Sequence, residues 1–241
     1  MMKKEHKTAA DGLKGYSVGL VMLDTKFTRI PGDIGNPATF SFPLRYQVVK
    51  GASINRVVFQ RDKSLLEPFL EACQALCQEG VKVLVTTCGF LAMFHRELSQ
   101  SLEVPIFTSS LLQVPLVYAV TGQRRVGILT ANSDTLTDLH FESVGASHIP
   151  RAVEGVQHTY FGDFLLNDRE GKMDVAAAEQ DMVGMANRLV SGHDDIGAIV
   201  LECTNMPPFA RAVQRAVGLP VFDIVTLTNM AYENVNRRAY S

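Results

Sequence analysis

No apolar run in this chain approaches the roughly twenty residues needed to span a bilayer, which excludes a helical membrane protein. No secretion signal is expected either. Met1 to Gly15 is polar and mixed in charge, and the apolar run Val18–Leu23 meets Asp24 before it is long enough for a signal core. There is no basic excess: 23 Lys and Arg face 25 Asp and Glu, a net charge of −2, so nothing argues for nucleic acid or an anionic membrane surface as a partner. Low-complexity segments, a phosphate-binding glycine loop and a dinucleotide fingerprint are all absent. Four cysteines are few, and without an export signal they are expected to stay reduced, as packing groups, metal ligands or reactive thiols. These absences predict a soluble, cytoplasmic protein that acts on a small molecule, with no nucleic acid and no membrane among its partners. The 241 residues, 46% of them hydrophobic and 20% charged, supply enough apolar material for one large domain or two small ones around a cleft.

What is present occurs twice. Val83-Leu84-Val85-Thr86-Thr87-Cys88-Gly89-Phe90 is an apolar run ending in a cysteine, and Ile199-Val200-Leu201-Glu202-Cys203-Thr204-Asn205 has the same design. Val104-Pro105-Ile106-Phe107 follows the first cysteine at the interval at which Leu219-Pro220-Val221-Phe222 follows the second. Upstream, Val18-Gly19-Leu20-Val21-Met22-Leu23-Asp24 has a counterpart in Val126-Gly127-Ile128-Leu129-Thr130-Ala131-Asn132. The chain therefore reads as two homologous halves, each presenting one thiol.

Strand-like apolar runs alternate with helical patterns along both halves. Helices are expected from Lys63 to Gln78, Phe90 to Ser101, Ser109 to Val120, Ser133 to Val144, Asp174 to Val190, Pro207 to Val217 and Thr226 to Arg237. Residues 1–16 read as a loosely held arm, and Thr25 to about Asn55, with Pro31-Gly32-Asp33-Ile34-Gly35-Asn36-Pro37, as a long irregular binding loop. Continuous apolar strands joined through helices predict parallel sheets covered on both faces. The repeat predicts two such α/β lobes, residues 1–120 with 224–241 and residues 121–223, pseudo-symmetric and Rossmann-like, with the active site in the cleft between them.

Each repeated cysteine stands where a buried strand hands over to a helix. There the free N–H groups and the helix dipole favour an anion, which is expected to lower a thiol pKa and to suit a substrate carboxylate. Two thiols on opposite walls of one cleft can take a proton from a carbon and return one to its other face. Thr204, Asn205 and the N–H groups of Gly89 and Phe90 are the nearest candidates to hold the carboxylate. Asp24, at the carboxyl end of the first strand, is either a substrate contact or a turn cap. Thr87 and Glu202 flank the cysteines and, if strand alternation continues, point away from them. Cys73 and Cys77 share a helix face and read as core packing, and His95 as structural. Arg29 and Arg45 are candidates to pair with a second carboxylate. No metal-ligand cluster and no Schiff-base lysine is evident, so neither metal nor cofactor is expected.

This layout resembles the aspartate/glutamate racemase superfamily, which also holds hydantoin racemase, maleate isomerase, arylmalonate decarboxylase and the algal-type dimethylsulfoniopropionate lyases. Leu201-Glu202-Cys203-Thr204-Asn205-Met206-Pro207-Pro208 is similar to the second-cysteine motif, Thr86-Thr87-Cys88-Gly89-Phe90 matches the first-cysteine position, and Asp24 matches a polar residue ending the first strand. Gly89-Phe90 replaces the Asn-Thr typical of amino-acid racemases, and Asn205 the His of glutamate racemases. Together with the Pro31–Pro37 loop, these departures look more like the branch that contains the algal-type lyases.

The resemblance implies catalytic Cys88 and Cys203, substrate-binding Asp24, Thr87, Gly89, Phe90, Thr204 and Asn205, and no cofactor. The expected activity is racemisation or epimerisation at the α-carbon of a small carboxylic acid. The alternatives are a lyase in which one thiolate abstracts the α-proton and a β-group leaves, and a non-catalytic cytosolic ligand-binding module. A homo-oligomer, a dimer or larger, is expected.

Overall fold

The computed structural model describes residues 15–237 and 239. The arm expected over residues 1–16 thus lies, up to residue 14, outside the described residues. In the first half the chain runs β1 (Val18–Leu23), β2 (Leu44–Val49), α1 (Leu66–Gln78), β3 (Val83–Thr86), α2 (His95–Ser101), β4 (Ile106–Phe107) and α3 (Val114–Val120). The second half continues with β5 (Arg125–Thr130), α4 (Asp138–Ser143), β6 (Arg151–Gly155), α5 (Tyr160–Leu166), α6 (Val175–Ser191), β7 (Ile196–Leu201), α7 (Ala210–Val217), β8 (Val221–Phe222) and α8 (Ile224–Val235).

Two four-stranded sheets result, in the order β2-β1-β3-β4 and β6-β5-β7-β8. All pairs are parallel, with Val18 opposite Leu44 and Val83 in one sheet, and Val126 opposite Arg151 and Ala198 in the other. The duplication read from the cysteine motifs is thus a duplication of strand order. β3 and β7 are buried at every position, as expected of strands covered on both faces. The equivalent glycines Gly19 and Gly127 show how the covering helices fit. A Cβ at Gly19 would lie 2.9 Å from Leu84 and 3.1 Å from Leu76 of α1, and one at Gly127 3.0 Å from Leu189 of α6. The small residue lets a helix settle onto each first strand.

One apolar core runs through both halves, joining Val21, Leu84 and Phe90 to Val126, Ile128 and Leu201. A second lies on the outer face of the first sheet. There Ile224, Leu227 and Ala231 of α8 pack on Val18, Leu20, Val83 and Val85. The last helix is capped by Asp223, whose carboxylate accepts from the Thr226 amide at 2.7 Å, and it packs back on the first sheet.

Several elements differ from the sequence reading. β2 lies inside the stretch read as one long loop, and β6 and α5 inside a stretch read as irregular. The segment after Cys88 is a 3-10 helix, Gly89–Phe94, before α2 starts, and Pro207–Phe209 likewise precedes α7. α4 is shorter than expected because its N-cap is Thr137, which forms a capping box with His140. Among the described residues no helix is long and apolar enough to cross a membrane.

Candidate active site

β3 ends at Thr86 and β7 at Leu201, so both cysteine motifs leave their sheets at the carboxyl ends, where open α/β sheets place ligands. The two ends open into one cavity. Thr87, Cys88, Gly89 and Phe90 line it from the first half, and Glu202, Cys203, Thr204 and Asn205 from the second. Leu23 at the end of β1 and Thr25, Phe27 and Arg29 on the segment leaving it also line the cavity, with Ile54, Val58, Ala131 and Leu165 and Leu166 of α5. The space open to the centres of water molecules is only about 30 Å³. The lining is mostly apolar, and Cys88 and Cys203 keep only 9% and 8% of their surface.

The amides of Phe90 and Leu91 point at the Cys88 sulfur, as a turn following a strand should provide. Burial nevertheless outweighs them. With the charge of Glu202 adding to it, burial pushes the Cys88 thiol up to about 12, while the two amides and the Arg29 guanidinium pull the other way. Cys203 is likewise held well above its ordinary value, first by burial and then by Glu202, against the Asn205 amide. The depressed thiol pKa expected from a helix start is therefore corrected. Each cysteine meets one or two backbone amides of a tight turn and no long helix axis, too little to offset the loss of water.

Cys203 belongs to a relay of polar groups that reaches into the first half. Its Sγ donates to Asn205 Oδ1 at 3.5 Å, Asn205 Nδ2 donates to Asp33 Oδ2 at 2.5 Å, and Arg29 Nη1 donates to Asp33 Oδ1 at 2.9 Å. The Arg29 and Asp33 side chains are only 9% and 4% exposed. Arg29 also reaches Thr25 Oγ1 at 3.1 Å and lies 4.9 Å from the Phe27 ring centroid. A fixed guanidinium thus stands in the cavity wall.

Thr87 and Thr204 hold the two walls together. Thr204 Oγ1 donates to the Thr87 carbonyl at 2.6 Å, and Thr87 Oγ1 accepts from the Leu23 amide at 3.1 Å. Ser110 Oγ adds a second tie, donating to Leu201 O at 2.5 Å. Thr87 and Glu202, expected to point away from the thiols, both line the cavity. The strands stop one residue before each of them, and the alternation stops with the strands.

Glu202 is the cavity residue whose place the sequence did not reveal. Its side chain is fully buried, Oε2 accepts from Thr130 Oγ1 at 2.7 Å, and Oε1 has no partner among the described residues. Gly89 makes the room for it. A Cβ on Gly89 would fall 2.1 Å from Glu202 Oε1 and 2.3 Å from its carbonyl oxygen. Burial raises the Glu202 carboxyl to about 7, against hydrogen bonds from Thr130 and the Ala131 amide. A glycine facing a repeat-specific glutamate was the available signal.

Asp24 does not line the cavity. Its carboxylate accepts from the Gly51 amide at 3.2 Å, which with Lys50 at 3.5 Å lowers its pKa, so it caps the turn after β2. Arg45 pairs with Glu79 at the surface. His95 bonds Thr108 Oγ1 at 3.0 Å, away from the cavity, and Cys73 is buried in α1. Among the described residues no three His, Cys, Asp or Glu side chains gather as a metal site would require.

Comparison with known proteins follows the same lines. The chain is 30% identical over 233 residues to a dimethylsulfoniopropionate lyase of Durusdinium sp. clade D, covering 88% of this chain and 73% of that one. It is 28% identical to dimethylsulfoniopropionate lyase 3 of Emiliania huxleyi, again over 88% of this chain but only 58% of the relative, so it spans little more than half of that protein. Unliganded arylmalonate decarboxylase shares the fold, with a TM-score of 0.61 at 14% identity over 94% of each chain. Residues 61–230 match the family described as Asp/Glu/Hydantoin racemase. With its two parallel four-stranded sheets and the extent of these matches, this chain belongs to the Asp/Glu/Hydantoin racemase family.

Proposed function

We propose that this protein is a cofactor-independent enzyme that moves the α-proton of a small carboxylic acid, using Cys88 and Cys203 as the acid–base pair of a racemase or epimerase. The observation that carries this reading is the meeting of two thiols from equivalent strand ends at one cavity. Arg29, held in the wall by Asp33 and Thr25, is the cation nearest to hand for the carboxylate, and the mostly apolar walls limit the water around it. One sulfur, as thiolate, takes the α-hydrogen, leaving the bonding pair delocalised into the carboxylate. The other, as thiol, gives its hydrogen to the opposite face. The charge returns to sulfur, and no bond changes except the configuration at carbon.

A high thiol pKa suits this task. The α-hydrogen of a carboxylate is a weak acid, and a strongly basic thiolate narrows the mismatch, although only a small fraction of the resting enzyme holds one. The family membership and the duplicated cysteine motif support the same reading.

The relatives favour a second outcome from the same first step. When a leaving group sits on the β-carbon, the pair released by α-proton abstraction forms a double bond between the α- and β-carbons as the β-group departs with its own pair. That is β-elimination, the lyase chemistry that the names of the Durusdinium and Emiliania relatives indicate.

Deuterium wash-in at the α-carbon, measured over a panel of chiral amino and hydroxy acids and dimethylsulfoniopropionate, tests both. Wash-in with loss of optical purity, abolished in both Cys88→Ala and Cys203→Ala, is expected of the racemase. Release of an unsaturated acid without racemisation assigns the lyase instead. Exchange that survives in both variants removes the thiols from the chemistry.

A further inference from the structure

The reaction proposed above leaves one acid of the cavity without a task. Glu202 starts from the end of β7 and lies against Gly89 in the opposite wall, so it crosses the seam between the halves beside both cysteines. Its carboxyl receives Thr130 Oγ1 at 2.7 Å and the Ala131 amide, its Oε1 is buried without a partner, and no lysine or arginine pairs with it among the described residues. Arg29, the cation of this cavity, is already engaged by Asp33 at 2.9 Å and Thr25 at 3.1 Å. An ionised carboxylate buried without a counter-ion or a full set of donors is costly, and protonation removes that cost.

We infer that Glu202 is a positioning residue that works as a neutral acid: seated in the room left by Gly89, it keeps the seam between Cys88 and Cys203 uncharged so that one of the two thiols can ionise there. This deepens the reading of the same site. The charged and titratable groups facing Glu202 are Cys88 and Cys203 on the two walls. Arg29 and Asp33 act on the thiols from the loop. His140 packs edge-on against Phe90 with ring centroids 5.2 Å apart, and burial keeps it neutral, near 4.

The consequence is a mutual exclusion. When Glu202 carries its proton, a thiolate forms against burial and, at Cys203, the charge of Asp33, with no negative charge on Glu202 beside it. When Glu202 ionises, near 7, the same thiolate has a buried negative neighbour, and the three groups titrate as one coupled set. Oε1 makes no hydrogen bond to either sulfur among the described residues, so the neutral acid acts on the thiols by carrying no charge beside them.

Two measurements on the purified protein test this without any turnover. Infrared difference spectra should show a protonated carboxyl band at about pH 6 that bleaches as the pH rises past about 7, that is absent in Glu202→Gln, and that persists to higher pH in Thr130→Val, which removes the donor favouring the charged form. Alkylation of Cys88 and Cys203 by iodoacetamide at about pH 9 should be about tenfold faster in Glu202→Gln than in the wild type, since the amide has the same shape and no charge. No such band in the wild type, or equal alkylation rates in the two proteins, overturns the inference. Neither result depends on the substrate, so failure here leaves the proposed reaction standing, and failure of the wash-in experiments leaves the state of Glu202 to be read.

Discussion

Glu202 and Gly89 fit each other as one unit, since the glutamate occupies the volume that any side chain on residue 89 would need. The raised carboxyl makes stability depend on pH in an unusual direction for a glutamate. The unfolded chain releases this proton near 4.5 and the folded one near 7, so between these values the folded state binds more protons and rising pH favours unfolding. The wild type should therefore lose about 3 kcal/mol relative to Glu202→Gln as pH rises through that window, with no further divergence above it. Denaturant midpoints of the two proteins at a series of pH values measure this. The thiols were legible in the sequence because each ends a repeated strand. Glu202 was not, because strand periodicity stops at Leu201 and the residue after a strand end can face either way.

The segment Thr25–Phe42 is the element that closes the site, and it is fastened to the half it does not belong to. Asp33 holds Arg29 on its own segment and Asn205 beside the second cysteine. Asp33→Ala removes both partners and leaves a buried guanidinium unpaired, which costs about 3 kcal/mol. Thermal unfolding should show that loss. Limited proteolysis should show new cleavage between Thr25 and Phe42. The loss of Nδ2 anchoring also frees Asn205, the hydrogen-bond acceptor of Cys203. The segment reads as loop in sequence because its order comes from side-chain bonds among Arg29, Asp33, Asn36 and Thr39, completed by Asn205 of the other half, and not from local periodicity. The overlooked β2 and β6 share a cause as well. They are equivalent edge strands with few buried positions, Arg45 being exposed and Tyr46-Gln47-Val48 and Val153-Glu154-Gly155 half buried, so neither shows the continuous apolar run of a central strand. Because both halves omit the same signal, the repeat could not supply from one copy what was missing in the other.

At the scale of the molecule, the halves are joined by a continuous apolar core and by polar ties, among them Thr204 to the Thr87 carbonyl in the cavity wall. Thr204→Val keeps the shape and leaves that buried carbonyl unpaired, and it should lower the stability by about 1–2 kcal/mol without altering the fold. Chemical denaturation, with circular dichroism confirming the native spectrum, measures it. The duplicated architecture was legible from the cysteine and proline spacing, because parallel sheets of the same strand order present the same sequence landmarks.

The unequal walls of the cavity bear on thermodynamics as well as recognition. Cys88 is followed by Gly89 and Phe90, Cys203 by Thr204 and Asn205, so two mirror-image substrates meet different surroundings although the sheets behind them match. Enantiomers in water have the same free energy, so a racemase cannot turn this asymmetry into a preferred product. It can only trade kcat against KM between the two directions, with kcat/KM held equal. An elimination has no such constraint, and unequal walls there are free to select one hand of substrate outright. The ratio of kcat/KM for the two enantiomers of a chiral substrate is thus a quantity on which the divergence of the two halves leaves a mark in one chemistry and none in the other.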